Sequence, residues 1–442
     1  MPVLPANSKR LFVLLAFFAS LRFCGELSAA DWPEFRGPFG NGHVSADKKP
    51  VGLPLKWSET ENVKWKIEIP HKGWSTPVVL GNQVWLTTAT IDGKDFFVIC
   101  VDAESGKVLF NEKLFHSDKP EPLSNPVNCY GSASPVIEAG RVYVNFGCYG
   151  TACLDTGNFK EVWRREDLPC RHYRGPGSSL LMYEDLVVLT MDGVDQQYVV
   201  ALDKKTGQNV WKTERSTKWD DLDKNGQPER EGDFRKAFST PIIAEVPAGR
   251  DAGATKPLLI SAGSKAVFAY EPKSGKEIWR LSSGDYSAAA RPVYGKGLVF
   301  AMTGQGRAGL QAIKADGSGD ISGTNVAWKL DRGGSKTTSP ILIDDLLYWV
   351  TDDGGATCVE AETGREVWKS RIGGSFCASP IYADDRIYFS SIQGKTTVVK
   401  AGRTYEMLAA NVLDGQFMAS PAVSGKALFL RTKTHMYRIE AR

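Results

Sequence analysis

The chain has 442 residues, 42% hydrophobic and 24% charged, with 54 Lys and Arg against 51 Asp and Glu for a formal net charge of +3. That balance is ordinary for a soluble globular protein, and the near-neutral charge argues against a nucleic-acid partner, which needs a basic face. With 44 Gly, 23 Pro and 10% aromatic residues but no sustained apolar spacing at the helical period, the composition predicts many short strands and tight turns.

At the N-terminus, Lys9 and Arg10 precede an apolar run from Leu11 to Leu21, and Ser28-Ala29-Ala30 follows. This is the layout of a secretory signal peptide, residues 1–30, and the run is too short for a bilayer, which needs about 20 apolar residues. Export to the periplasm or the external medium is expected, with no transmembrane anchor after cleavage. Cys24 follows the bulky Phe23 where a lipid-anchor signal wants a small residue, so a lipoprotein is not expected. Cleavage removes Lys9, Arg10, Arg22 and Glu26, taking the charge from +3 to +1, and leaves seven of the eight cysteines. Cys100, Cys153 and Cys358 open equivalent strands and read as small buried residues. Among Cys129, Cys148, Cys170 and Cys377, the pair Cys129 with Cys170 is the first choice for a disulfide. No Cys-x-x-Cys pair is present, so a zinc or redox site is not expected.

Beyond the leader the chain repeats itself. Five eleven-residue stretches share an apolar start, a polar turn with Gly and an apolar-aromatic end: CVDAESGKVLF from 100, CLDTGNFKEVW from 153, ALDKKTGQNVW from 201, AYEPKSGKEIW from 269 and CVEAETGREVW from 358. Upstream of each stands a second signature, a small residue, Ser or Thr, then Pro and alternating apolar residues, as in STPVVLGNQVWLTT at 75–88. Eight such starts occur, at 75, 133, 178, 239, 290, 338, 378 and 419; the third lacks the Pro and the fifth carries Arg291 in ARP. Each unit reads as four antiparallel strands, with Pro opening the first and Gly making a tight hairpin. The closing aromatic is Phe110, Trp163, Trp211, Trp279, Trp328 or Trp368, with Leu408 in the seventh unit. The eighth unit ends without a fourth strand, while ENVKWKIEI at 61–69 is a fourth strand without a unit. An all-β, eight-bladed propeller over 61–442, closed by joining the N-terminal strand to the last blade, explains both leftovers. Residues 31–60 are a leader expected to wrap the outside, and a monomer is expected.

The start signature together with ALDKKTGQNVW resembles the pyrroloquinoline quinone (PQQ) repeat of quinoprotein dehydrogenases. It is equally similar to the repeat of BamB, the propeller lipoprotein of outer-membrane β-barrel assembly. WPEFRGPFGNGHVS at 32–45, followed by KWSETENVKWKIEIPHKGWSTPVV, looks like the opening of exported PQQ-like repeat proteins. The resemblance implies the fold more firmly than any activity, because the repeat residues are structural. Dehydrogenases of this kind hold PQQ in the central funnel with Ca²⁺, a catalytic Asp and often a disulfide between adjacent cysteines. This chain has no adjacent cysteine pair, and no calcium ligand or catalytic Asp carries over to a matching position.

Several local motifs carry weaker expectations. GQGRAG, from Gly304, matches a dinucleotide pattern but leads into a strand, so an inter-strand loop is expected. Asp221, Asp223 and Asn225 match the opening of a calcium loop, yet its twelfth position is Gly232. The five histidines show no metal-ligand spacing, and no serine-nucleophile elbow exists. Segments entering the first strands supply candidate funnel-mouth residues: the cations Lys72, Arg174, Lys236, Arg291 and Lys336, and the aromatics Trp74, Tyr130, Phe376 and Phe417. They favour an anionic or aromatic small molecule, or an acidic peptide strand. The expected function is therefore an exported, non-catalytic binding or scaffold module of the cell envelope, with no cofactor. A PQQ-dependent oxidoreductase using PQQ and calcium is the alternative, and an envelope carbohydrate-binding propeller a weaker one.

Overall fold

Every inner strand begins three residues after one of the eight starts, at Val78, Val136, Leu181, Ile242, Val293, Ile341, Ile381 and Ala422. The computed structural model, which describes residues 31–123, 127–248 and 253–441, arranges these units as eight antiparallel four-stranded blades. The expected signal peptide lies outside the described residues. Blade one holds Val78–Leu80, Gln83–Ala89, Asp95–Asp102 and Val108–His116. Blade eight takes Ala422–Ser424, Ala427–Arg431 and His435–Ile439 from the C-terminus and Val63–Glu68 from the N-terminus, with Lys66 opposite Tyr437. The closure expected from the two leftovers is therefore the observed one. In blade five an insertion sends Gly319–Asp320 back as a short parallel strand against the outer strand of blade four.

The closing tryptophans show why the phrase recurs. Trp65, Trp163, Trp211, Trp279, Trp328 and Trp368 each donate Nε1–H to a backbone carbonyl of the next blade, at 2.8–3.0 Å. Trp65, Trp163, Trp211 and Trp328 also lie flat on the glycine of the neighbouring hairpin, where a Cβ would come within 2.9 Å of the ring. Glycine is required there twice over, by the close approach and by its positive φ. Blade one closes with Phe110, and blade two answers with Phe159 in the glycine place, at φ +61, its ring stacked 5.0 Å from Phe110. Gly207→Ala puts a methyl carbon 2.6 Å from the Trp163 ring at φ +72. It is expected to cost about 2–4 kcal/mol, measured as a lower urea midpoint, while Gly323→Ala, at an exposed glycine with ordinary φ and open space around it, serves as the neutral reference.

The leader does not simply wrap the outside. Trp32 pairs with Val79 of blade one, and the Pro33 carbonyl accepts the Ile137 N–H of blade two. Residues 35–36 then enter the axis: Arg36, only 1% exposed, donates to the carbonyls of Pro340 (2.7 Å) and Pro380 (2.9 Å) at the inner strands of blades six and seven. Arg291 from blade five holds the same segment from the other side, through Glu34 at 2.8 Å and the Phe35 carbonyl, while its Nε donates to the Pro241 carbonyl of blade four. Residues 43–57 continue across blades six and seven, where the Asp384 carboxylate accepts the N–H groups of Val51 and Leu53. A buried arginine needs acceptors, and the inner-strand carbonyls around the axis supply them, which is why the leader is drawn into the channel.

Candidate binding site in the channel

The plug turns the channel into a blind cavity of about 450 Å³, with Phe35 lining it from the leader. That volume falls within the range of small-molecule sites. The middle residue of six of the eight start signatures contributes to its wall. Thr76, Ser134, Ser179, Thr240, Ser379 and Ser420 all face it, one from each of six blades.

These hydroxyls form a linked ring. The N–H of Thr76 donates to Ser134 Oγ, Ser134 to Ser179, Ser179 to Thr240, Arg291 to Ser339, Ser339 to Ser379 and Ser379 to Ser420, all at 2.9–3.0 Å. A hydroxyl that accepts an N–H still has its own proton to give, so the ring presents donors to the lumen. It breaks twice. Between blades four and five the hydroxyl is replaced by Arg291, whose guanidinium turns to the leader. Between blades eight and one, Thr76 Oγ1 is buried without a partner.

Three of the nine expected funnel-mouth residues line this cavity: Trp74, Arg174 and Lys236. Arg174 grips Asp233 with Nε at 3.0 Å and Nη2 at 3.1 Å. Lys236, 1% exposed, gives its protons to the Asp233 carboxylate, the Asp233 carbonyl (2.6 Å) and Ser287 Oγ (3.3 Å). Burial opposes ionisation of Asp233, but Arg174 and Lys236 outweigh it and hold the carboxyl below its usual range. Burial likewise pushes Lys236 down, against the pull of Asp233. The other six stand elsewhere. Arg291 clamps the leader. Tyr130, Phe376 and Phe417 are core residues, 1–4% exposed, because apolar rings at these strand entries pack between blades. Lys72 lies 5.2 Å over the Trp74 ring, and Lys336 is half-buried with its N–H on Asp352.

The calcium-loop residues are not gathered around a common point. Asp221 is spent on a bidentate pair with Arg235, at 2.6 and 2.9 Å, and Asp223 caps the turn N–H groups of Asn225 and Gln227. Among the described residues no group of three or more His, Cys, Asp or Glu is placed to hold a metal. Cys129 and Cys170 are both free thiols, not a disulfide: Cys129 contacts Ser132 and Cys170 lies beside His172. Gly304–Gly309 is the expected inter-strand loop, before the strand Leu310–Lys314. The residues that sequence reasoning missed are Phe35, Asp233 and the hydroxyl ring. The Ser or Thr of each start was visible as a repeat letter, but its direction toward the axis was not.

A family model described as outer membrane protein assembly factor BamB matches residues 57–244 and 195–442. The chain belongs to that family. BamB from Moraxella catarrhalis is 12% identical with a TM-score of 0.57, covering 86% of this chain and 97% of that one. A europium-containing methanol dehydrogenase is 13% identical at a TM-score of 0.60, covering 91% and 89%, and the quinohemoprotein alcohol dehydrogenase ADHIIG from Pseudomonas putida HK5 is 11% identical at 0.60, covering 94% and 81%. At such identities the likeness shows the propeller fold alone. No curated protein sequence matches the chain significantly.

Proposed function

We propose that this BamB-family propeller is an exported, non-catalytic binding module of the cell envelope whose ligand seat is the blind channel cavity. The observation that carries the reading is the internal pairing of the cavity's charges. Arg174 and Lys236 are both locked on Asp233, so these groups are fixed charges rather than a poised acid and base. The hydroxyl ring around them binds and orients without offering a nucleophile activated by a neighbouring base. The family's description as an outer-membrane assembly factor supports an envelope setting, with an envelope protein as a further partner on the outer surface.

The quinoprotein alternative fits the residues poorly at the metal. Calcium takes 6–8 oxygen ligands with carboxylates among them. The one carboxylate among the described residues lining the cavity, Asp233, is neutralised by two cations. A fluorescence titration of the mature chain with PQQ, with and without Ca²⁺, separates the readings, since the chain has 12 tryptophans and Trp74 lines the cavity. The expected result is quenching that does not depend on calcium, or none, beside a thermal shift with other small ligands. Saturable, calcium-dependent quenching would return the oxidoreductase reading to the front.

A further inference from the structure

The seam between blades eight and one carries an unbalanced set of groups. Trp74 and Thr76 both line the cavity, and their Nε1 and Oγ1 atoms are buried without a hydrogen-bond partner. Between them in sequence, Ser75 holds Arg431, which is 2% exposed. Arg431 Nη1 donates to the Ser75 carbonyl (3.1 Å), Ser75 Oγ (2.6 Å) and the Thr87 carbonyl (3.1 Å), all of them neutral. No carboxylate among the described residues pairs with it. Burial pushes its pKa down to about 10, the mark of a cation desolvated without a counter-charge. Every other link in this half of the ring is closed, so the seam is where acceptors are missing.

Resting on the cavity being the ligand seat, we propose that Trp74 Nε1 and Thr76 Oγ1, with the Ser420 hydroxyl, form an oxyanion subsite in the field of Arg431, which takes the carboxylate or phosphate group of a small molecule. The indole N–H can only donate, and an unpaired buried donor costs about 1–3 kcal/mol. A neutral acceptor would satisfy the donors but leave Arg431 uncompensated, whereas an anion meets both demands. Across the cavity, two cations against Asp233 leave a further positive charge, so the rest of the ligand is anionic or oxygen-rich as well.

The test is isothermal titration of the full mature chain with citrate, inorganic phosphate and sorbitol, repeated with Trp74→Phe and Thr76→Val. Phenylalanine keeps a ring and loses the N–H; valine keeps the branch and loses the hydroxyl. Wild type is expected to bind citrate or phosphate saturably, more weakly as salt rises, and each variant to bind roughly tenfold more weakly. Citrate alone would identify a carboxylate source and phosphate alone a phosphate source. Near-UV circular dichroism confirms folding, and either variant suffices if the other misfolds. Anion affinity unchanged in a folded variant, or binding of sorbitol only, overturns the subsite while leaving the cavity reading in place. Absence of every ligand, PQQ included, in the wild type would overturn the cavity reading itself.

Discussion

Asp192→Asn is expected to destabilise the propeller by about 3–5 kcal/mol, the largest effect of any single conservative change considered, because it strands a buried guanidinium. Asp192 ends the second strand of blade three, and Arg215 follows that blade's last strand; their side chains are 1% and 2% exposed. The pair is bidentate, at 3.0 and 2.8 Å. Arg215 also donates to Ser261 Oγ (2.8 Å) and the Tyr270 hydroxyl (3.2 Å) of blade four, over the Phe268 ring. Burial works against the Arg215 charge, yet Asp192 and Tyr270 outweigh it and leave its pKa raised. Removing both charges, in Asp192→Asn with Arg215→Met, is expected to recover most of the loss, since no uncompensated ion then remains. Urea midpoints of the three proteins check this. A double variant less stable than the single would show that the pair itself, rather than the stranded cation, carries the cost.

Acid is expected to weaken the fold through two buried histidines. His172, 6% exposed, accepts the Cys148 N–H on Nε2 at 3.3 Å, which fixes that nitrogen as unprotonated. Burial pushes its pKa down to about 4. His43, in the leader, donates to the Leu342 carbonyl at 2.7 Å and is also pushed to about 4, by burial first and by Arg36 and Lys48 beside it, against the carbonyl's pull. A histidine depressed in the folded state stabilises it where the unfolded chain is neutral too, above about pH 6.5. That contribution disappears as the pH falls through the folded value, and a shift of this size corresponds to about 3 kcal/mol per histidine. Urea midpoints are therefore expected to drop between about pH 6.5 and pH 4, and His43→Gln with His172→Gln to flatten the drop. A midpoint equally steep in the double variant would assign acid sensitivity to the carboxylates instead. The leader makes this local as well: protonating His43 places a buried positive charge beside Arg36 and Lys48, and that repulsion loosens the leader beneath the cavity.

The repeat determined by itself how many blades there are, where each starts and how the ring closes. Its information is local: a proline cannot donate, a glycine alone tolerates the hairpin turn, and alternating residues give a strand two faces. Even the closing tryptophans could be placed between blades, because a single sheet cannot bury both of its faces. The binding cavity was another matter. Lys236 and Arg174 appeared in the sequence as free mouth cations, and only the fold brings Asp233 under both of them. Tyr130, Phe376 and Phe417 read as exposed rings and are core. Arg291 looked like a rim charge; it turns inward to meet Glu34 and Phe35, some 256 residues earlier in the chain. The hydroxyl ring joins residues about 40 to 60 positions apart, one blade to the next. Strand and turn propensities act over a few residues and survive in the order of letters, whereas a counter-ion or a hydrogen-bond acceptor is chosen by whichever group the closed ring places within about 3 Å.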